Sequence, residues 1–204
     1  MAKLFENFSF NTVGYEFESA IRSFRKSFEL SRSALEADVE KIRADLEAYL
    51  AGDEFVGERT DEGDIIWEQD RIYEMDIEAA EDAVLELRRT YMIAIYHAWE
   101  RAIRRQTKTD VHSHALLVEA AKKDHIEPLP ELEKVSQLVN LLKHNNAKWA
   151  KKLLDSWPDV VTPGILGRRD GDYYSSVILT DDHIEEILRA AAASGPVGFP
   201  DRQP

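Results

Sequence analysis

Neither glycine nor proline occurs in residues 15–51 or in residues 64–127 of this 204-residue chain. Inside a helix glycine costs roughly 1 kcal/mol and proline about 3 kcal/mol, so stretches this long and free of both predict two long helices. In the first, apolar side chains fall at Phe17, Ile21, Phe24, Phe28, Leu35, Val39, Ile42, Leu46 and Leu50. Their steps are mostly three and four, which gathers them on one buried stripe. Ser31 and Asp38 interrupt that stripe, so it is not a clean coiled coil. The second stretch repeats the pattern at Ile66, Tyr73, Ile77, Ala80, Val84, Leu87, Tyr91, Ile95, Ala98 and Ala102. Joined by the polar, glycine-punctuated "AGDEFVGERTDEGD", the two helices are expected to pack antiparallel.

The rest of the chain is more broken. "RRQTKTDVHSH" reads as a polar break and "ALLVEAAKKD" as a short helix. Pro130 stands near the start of the next helix, where proline is tolerated, and that helix is expected to run to about Ser156 before Pro158 stops it. "WPDVVTPGILGRRDGD" is a long loop, and the β-branched and aromatic "YYSSVIL" suits a short strand or hairpin near 173–179. Within that loop Asp170 and Asp172 read as turn residues. "TDDHIEEILRAAAAS" reads as a terminal helix capped by Thr180 or Asp181. The expectation is an all-α fold, a bundle of about five helices in one domain over residues 1–193, with a disordered tail over 194–204.

A formal net charge of -13 argues against a protein whose whole surface binds nucleic acid, while leaving room for a local basic cleft. With no cysteine there is no disulfide framework, thiolate zinc site or cysteine nucleophile. "MAKLFENFSF" lacks the apolar run of a signal peptide, and no window approaches the ~18 apolar residues of a membrane span. A soluble cytoplasmic protein without membrane contact is expected.

The chemistry-bearing residues fall on two helices. On the helix after Pro130, Leu132, Val135, Val139, Leu142, Trp149 and Leu153 form an apolar face, opposite Glu133, Gln137, Asn140 and His144. Asn140 and His144 are one turn apart, and Lys143 lies within a turn of Asn140. An amide, a cation and a titratable base suit a phosphodiester, although a solvated face with one ordinary histidine has the same spacing. In "YMIAIYHAWERAIRR", His97, Glu100 or Arg101, and Arg104 share a face; a core histidine satisfied by Glu100, or a routine Glu100–Arg104 pair, reads equally well. If the two stripes face each other they line one cleft. No metal and no cofactor is expected: His112 and His114 with Asp110 lack a further ligand in a recognisable pattern, and His97-x-x-Glu100 reverses the order of the di-metal carboxylate motif.

"YHAWERAIRR", "LVNLLKHNNAKWAKKLLDSWPDVV" and "ILTDDHIEEIL" together resemble bacterial α-helical proteins of the HEPN-like type, over roughly Tyr91 to the terminal helix. The resemblance implies a helical bundle, often a homodimer, found in toxin–antitoxin and phage-defence systems. Many such proteins are metal-independent ribonucleases that use an Arg-x(4–6)-His motif. Histidine then takes the proton of a ribose 2′-hydroxyl and arginine stabilises the phosphorane charge. The motif departs here: the positions five to seven residues ahead of His144, where its arginine would stand, hold Gln137, Leu138 and Val139. Arg105 to His112 satisfies an Arg-x6-His count across "QTKTDV", and Arg104 is the other candidate to serve His144. Two readings remain open: an endoribonuclease with RNA as substrate, using His144, Asn140, Lys143, Arg104, His97 and Glu100, or a non-catalytic dimeric interaction protein such as an antitoxin or defence-complex subunit.

Overall fold

The computed structural model describes residues 10–52, 55–167 and 171–199. Six α-helices dominate the described residues: α1 (Thr12–Leu50), α2 (Gln69–Thr107), α3 (His114–Lys123), α4 (Glu131–His144), α5 (Ala147–Ser156) and α6 (Asp181–Ala193). The all-α expectation holds. The chain forms two compact units: residues 1–26 with 88–204, and residues 27–87. Each long helix contributes one part to each unit.

In the smaller unit the two long helices run antiparallel, with Tyr49 against Tyr73 at 6.1 Å between ring centroids and Arg43 paired with Glu81. They are joined through a two-stranded antiparallel sheet, β1 (Gly57–Arg59) and β2 (Ile65–Glu68). Here lies the hairpin: β1 falls inside the stretch read as a plain turn, whereas β2 takes Ile66, expected on the second helix, which begins only at Gln69. Gly63 adopts φ 95°, a left-handed region open to glycine, and its N–H donates to Thr60 O at 2.9 Å to close the turn. The strand expected near 173–179 is only an isolated bridge, Val161 to Val177, because turns from Tyr173 and Tyr174 bend that segment. Charge is divided as sharply as structure. Residues 27–87 hold 20 carboxylates and five Lys or Arg side chains, a net of -15, which leaves +2 for the rest of the chain.

The larger unit carries the main core. Ile95, Trp99 and Ile103 of α2, Leu117 of α3, Leu132, Leu138 and Leu141 of α4, and Ile184 and Leu188 of α6 are all fully buried. The antiparallel pairing of α1 and α2 recurs here, through Phe24 edge-on to Tyr91 and Glu16 bonded to Arg105 at 2.6 Å. Thr180 caps α6 in a reciprocal box with His183, and Asp181 in its first turn pairs with Arg88 at 2.9 Å.

Two expectations change. The single helix from Pro130 to Ser156 is two helices, because Asn145 takes a left-handed conformation (φ 42°) that ends α4 and Asn146 then caps α5. The tail does not begin at 194. Ser194 is fully buried, its carbonyl accepting from Trp99 Nε1 at 2.8 Å and its hydroxyl from the Leu129 N–H at 2.8 Å. Four residues on, Gly198 O accepts from Asn11 N at 2.9 Å. Gly14 lets this segment cross α1, since a Cβ there would lie 2.2 Å from the Val197 carbonyl. Residues 200–204 and Asp170 lie outside the described residues. No described helix is long and apolar enough to cross a membrane.

Candidate functional site

The histidine-bearing stripe of α2 and the polar stripe of α4 do share a cavity, of about 290 Å³, within the larger unit. Its size is near the lower end of small-ligand pockets. Tyr96, His97 and Glu100 line one wall from α2, and Ser136, Val139, Asn140 and Lys143 line another from α4. Trp149 of α5, the loop residues His112 and Ser113, and His114 at the start of α3 complete it. Helical spacing accounts for the first two walls: residues three and four apart share a face, so 96, 97 and 100 appear together, as do 136, 140 and 143. The loop is held by Ser113, whose hydroxyl accepts from the Leu116 N–H at 3.3 Å and starts α3.

His97 Nδ1 stands 2.6 Å from Glu100 Oε2. Glu100 is only 8% exposed, and Arg104 Nη2 reaches the same oxygen at 3.9 Å. A carboxylate buried this deeply needs such partners. Because Glu100 occupies Nδ1, the imidazole offers Nε2 for chemistry. Asn140 donates through Nδ2 to the Ser136 carbonyl of its own helix at 2.8 Å, which sets the amide's orientation.

A second histidine is placed differently. His114 Nδ1 lies 2.9 Å from the Tyr96 hydroxyl, and its ring packs 6.0 Å from Tyr96 and 5.6 Å from Trp99. Burial lowers its pKa, against smaller opposing pulls from Glu133 and Glu100, so the neutral imidazole dominates at neutral pH. Burial also raises the Tyr96 pKa well above its ordinary value, opposed by a bond to Ser136, and the phenol stays protonated. In the tautomer in which that hydroxyl donates to Nδ1, the His114 ring proton sits on Nε2.

Of the six residues singled out from sequence, His97, Glu100, Asn140 and Lys143 line the cavity. Arg104 is tied to Glu100 behind the wall. His144 is not among the residues that line the cavity: it is the exposed last residue of α4. Arg105, which satisfies the Arg-x6-His count, bonds Glu16 instead, although its counterpart His112 does reach the cavity. Tyr96, Ser136 and Trp149 were not read from the sequence as site residues, and His114 only as loop. The Ser113-x-x-Leu116 capping pattern was the available signal that places the His112–His114 loop against a helix start. Among the described residues no three His, Asp or Glu side chains converge to hold a metal ion. No family model, curated relative or solved structure matches this chain.

Proposed function

We propose that this cavity is a general acid–base site for cleaving an RNA phosphodiester without a metal, the activity expected of a HEPN-like endoribonuclease. The observation that carries the reading is the His97–Glu100 pair at 2.6 Å in the same cavity as Lys143 and Asn140. His97 Nε2 takes the proton of the ribose 2′-hydroxyl, and Glu100 orients the ring and balances the charge it gains. The 2′-oxygen bonds to phosphorus as the bond to the 5′-oxygen breaks, leaving a 2′,3′-cyclic phosphate. The departing oxygen takes a proton from solvent. Lys143 meets the charge developing on the phosphoryl oxygens, and the His114 Nε2–H donates to them. Trp149 offers a face for a base, flanked by Lys148 and Lys152 at 5.5 and 4.7 Å from its ring centre. The overall acidity does not oppose this, since the net negative charge falls in residues 27–87.

The test is cleavage of several RNAs in EDTA, with the product end identified. Removal of a positioned base costs typically 10²–10⁴-fold, so His97→Ala is expected to lose about that much rate. A strand with deoxyribose at the cut site should remain intact. Rates unchanged in His97→Ala, or no cleavage of any RNA by the parent chain, refute the proposal. The second reading is a non-catalytic cytoplasmic interaction subunit, working as a homodimer or with a cognate antitoxin-like partner. It is favoured by the exposed apolar side chains around β2. In that case His97→Ala lowers thermal stability and no RNA is cut.

A further inference from the structure

The smaller unit displays what folded chains usually hide. Ile65, Ile66 and Trp67 of β2 are 48%, 57% and 41% exposed, beside exposed Phe55 and Val56. β1 and β2 have three and four residues, and among the described residues β2 pairs only with β1. The register skips Ile66, between the pairs Glu58–Trp67 and Arg59–Ile65. A two-stranded hairpin is marginal alone, and its outer edge presents a row of backbone donors and acceptors. Short strands and the register shift blunt this edge in part, but "IIWE" has neither lysine nor proline and leaves Ile65, Ile66 and Trp67 exposed. An apolar edge left open in this way marks an interaction surface.

Charge says what covers it. Exposed Glu58, Asp61, Glu62 and Asp64 surround the strand, in a unit whose net charge is -15. A second copy would bring two such fields together, and a nucleic acid or anionic lipid would be repelled. We propose that the free edge of β2 receives an extended segment of a basic partner protein, with apolar residues alternating with Lys or Arg. Its backbone pairs with β2, its apolar side chains cover Ile66, the most exposed side chain of the strand, and its cations meet the surrounding carboxylates. The proposal concerns the smaller unit alone and does not rest on the cleavage chemistry.

The experiment is calorimetric titration of the full chain with short synthetic peptides. The expected result is that an alternating lysine–valine peptide binds, at least about tenfold tighter than a lysine–glycine peptide of equal charge. Binding should weaken as salt is raised, and a glutamate–valine peptide should not bind. Ile66→Thr, which keeps a strand-forming residue, should lose about tenfold in affinity. Asp61→Asn with Glu62→Gln, in the exposed turn, should lose severalfold while the fold stays intact. Equal affinity for the two cationic peptides, or affinity unchanged in both variants, overturns the proposal. So does a chain dimer in sedimentation that Ile66→Thr dissociates, since the edge is then filled by a second copy, or capture on neutral phosphatidylcholine vesicles.

Discussion

Asn145 is the hinge of the stretch "NLLKHNN", and replacing it tests why α4 stops there. Its backbone is left-handed at φ 42° and ψ 55°. Its Oδ1 accepts from the Tyr173 N–H at 2.7 Å and the Tyr174 N–H at 2.8 Å, and its Nδ2 donates to Asp172 Oδ1 at 3.2 Å. Asn145→Ala forces a Cβ-bearing residue without a compensating side chain into the left-handed region, about 1 kcal/mol. It also removes two accepted hydrogen bonds, about 0.5–1 kcal/mol each in this exposed setting. The sum is about 2–3 kcal/mol, or a fall of about 4–12 °C in the melting midpoint of the larger unit. Asn145→Gly loses the bonds but relieves the backbone, so it should be about 1 kcal/mol milder than alanine. Circular dichroism melts give the midpoints, and amide exchange at Tyr173 and Tyr174 reports the tether directly. Equal stability of the glycine and alanine variants refutes the backbone contribution. Full protection of the Tyr173 and Tyr174 amides in either variant refutes the tether.

Acid should weaken the fold through His114. Its pKa lies below the ordinary 6.5 because of burial, so below that pH the unfolded chain binds a proton that the folded chain does not. The destabilisation is absent above pH 6.5 and grows as pH falls from there toward the folded value. Urea titrations between about pH 7.5 and 5 should show this slope, reduced in His114→Gln but not abolished, because burial lowers His183 in the same direction. Gly195→Ala should destabilise by about 1–3 kcal/mol, since the new Cβ would lie 1.9 Å from Phe17 Cε1 and Phe17 is itself buried. A melt within about 0.5 kcal/mol of the parent would show that the 194–199 segment does not hold this packing in solution.

Much of the fold is local and therefore legible in the residues. The absence of glycine and proline, with apolar steps of three and four, determines α1 and α2, because helix propensity and a single buried stripe are properties of short windows. The same periodicity sets His97 beside Glu100 and Asn140 within a turn of Lys143, and the structure keeps both pairs. What the windows do not contain is long-range. Whether Ser194 ends a helix into solvent or is fixed by Trp99 and Leu129 depends on partners 95 and 65 residues away. The β-branched residues of "YYSSVIL" suit a strand, yet the pairing goes to Ile65–Glu68, where Gly63 brings a second strand within reach. His144 shares the face of Asn140 by spacing yet is not among the lining residues; it stands at the exposed end of α4, where the left-handed Asn145 stops the helix and ties the loop at 172–174. Spacing along the chain determined which side chains share a helix face. Only tertiary packing decided which faces close on a cavity, since a face gains a partner from distant residues that no local period encodes.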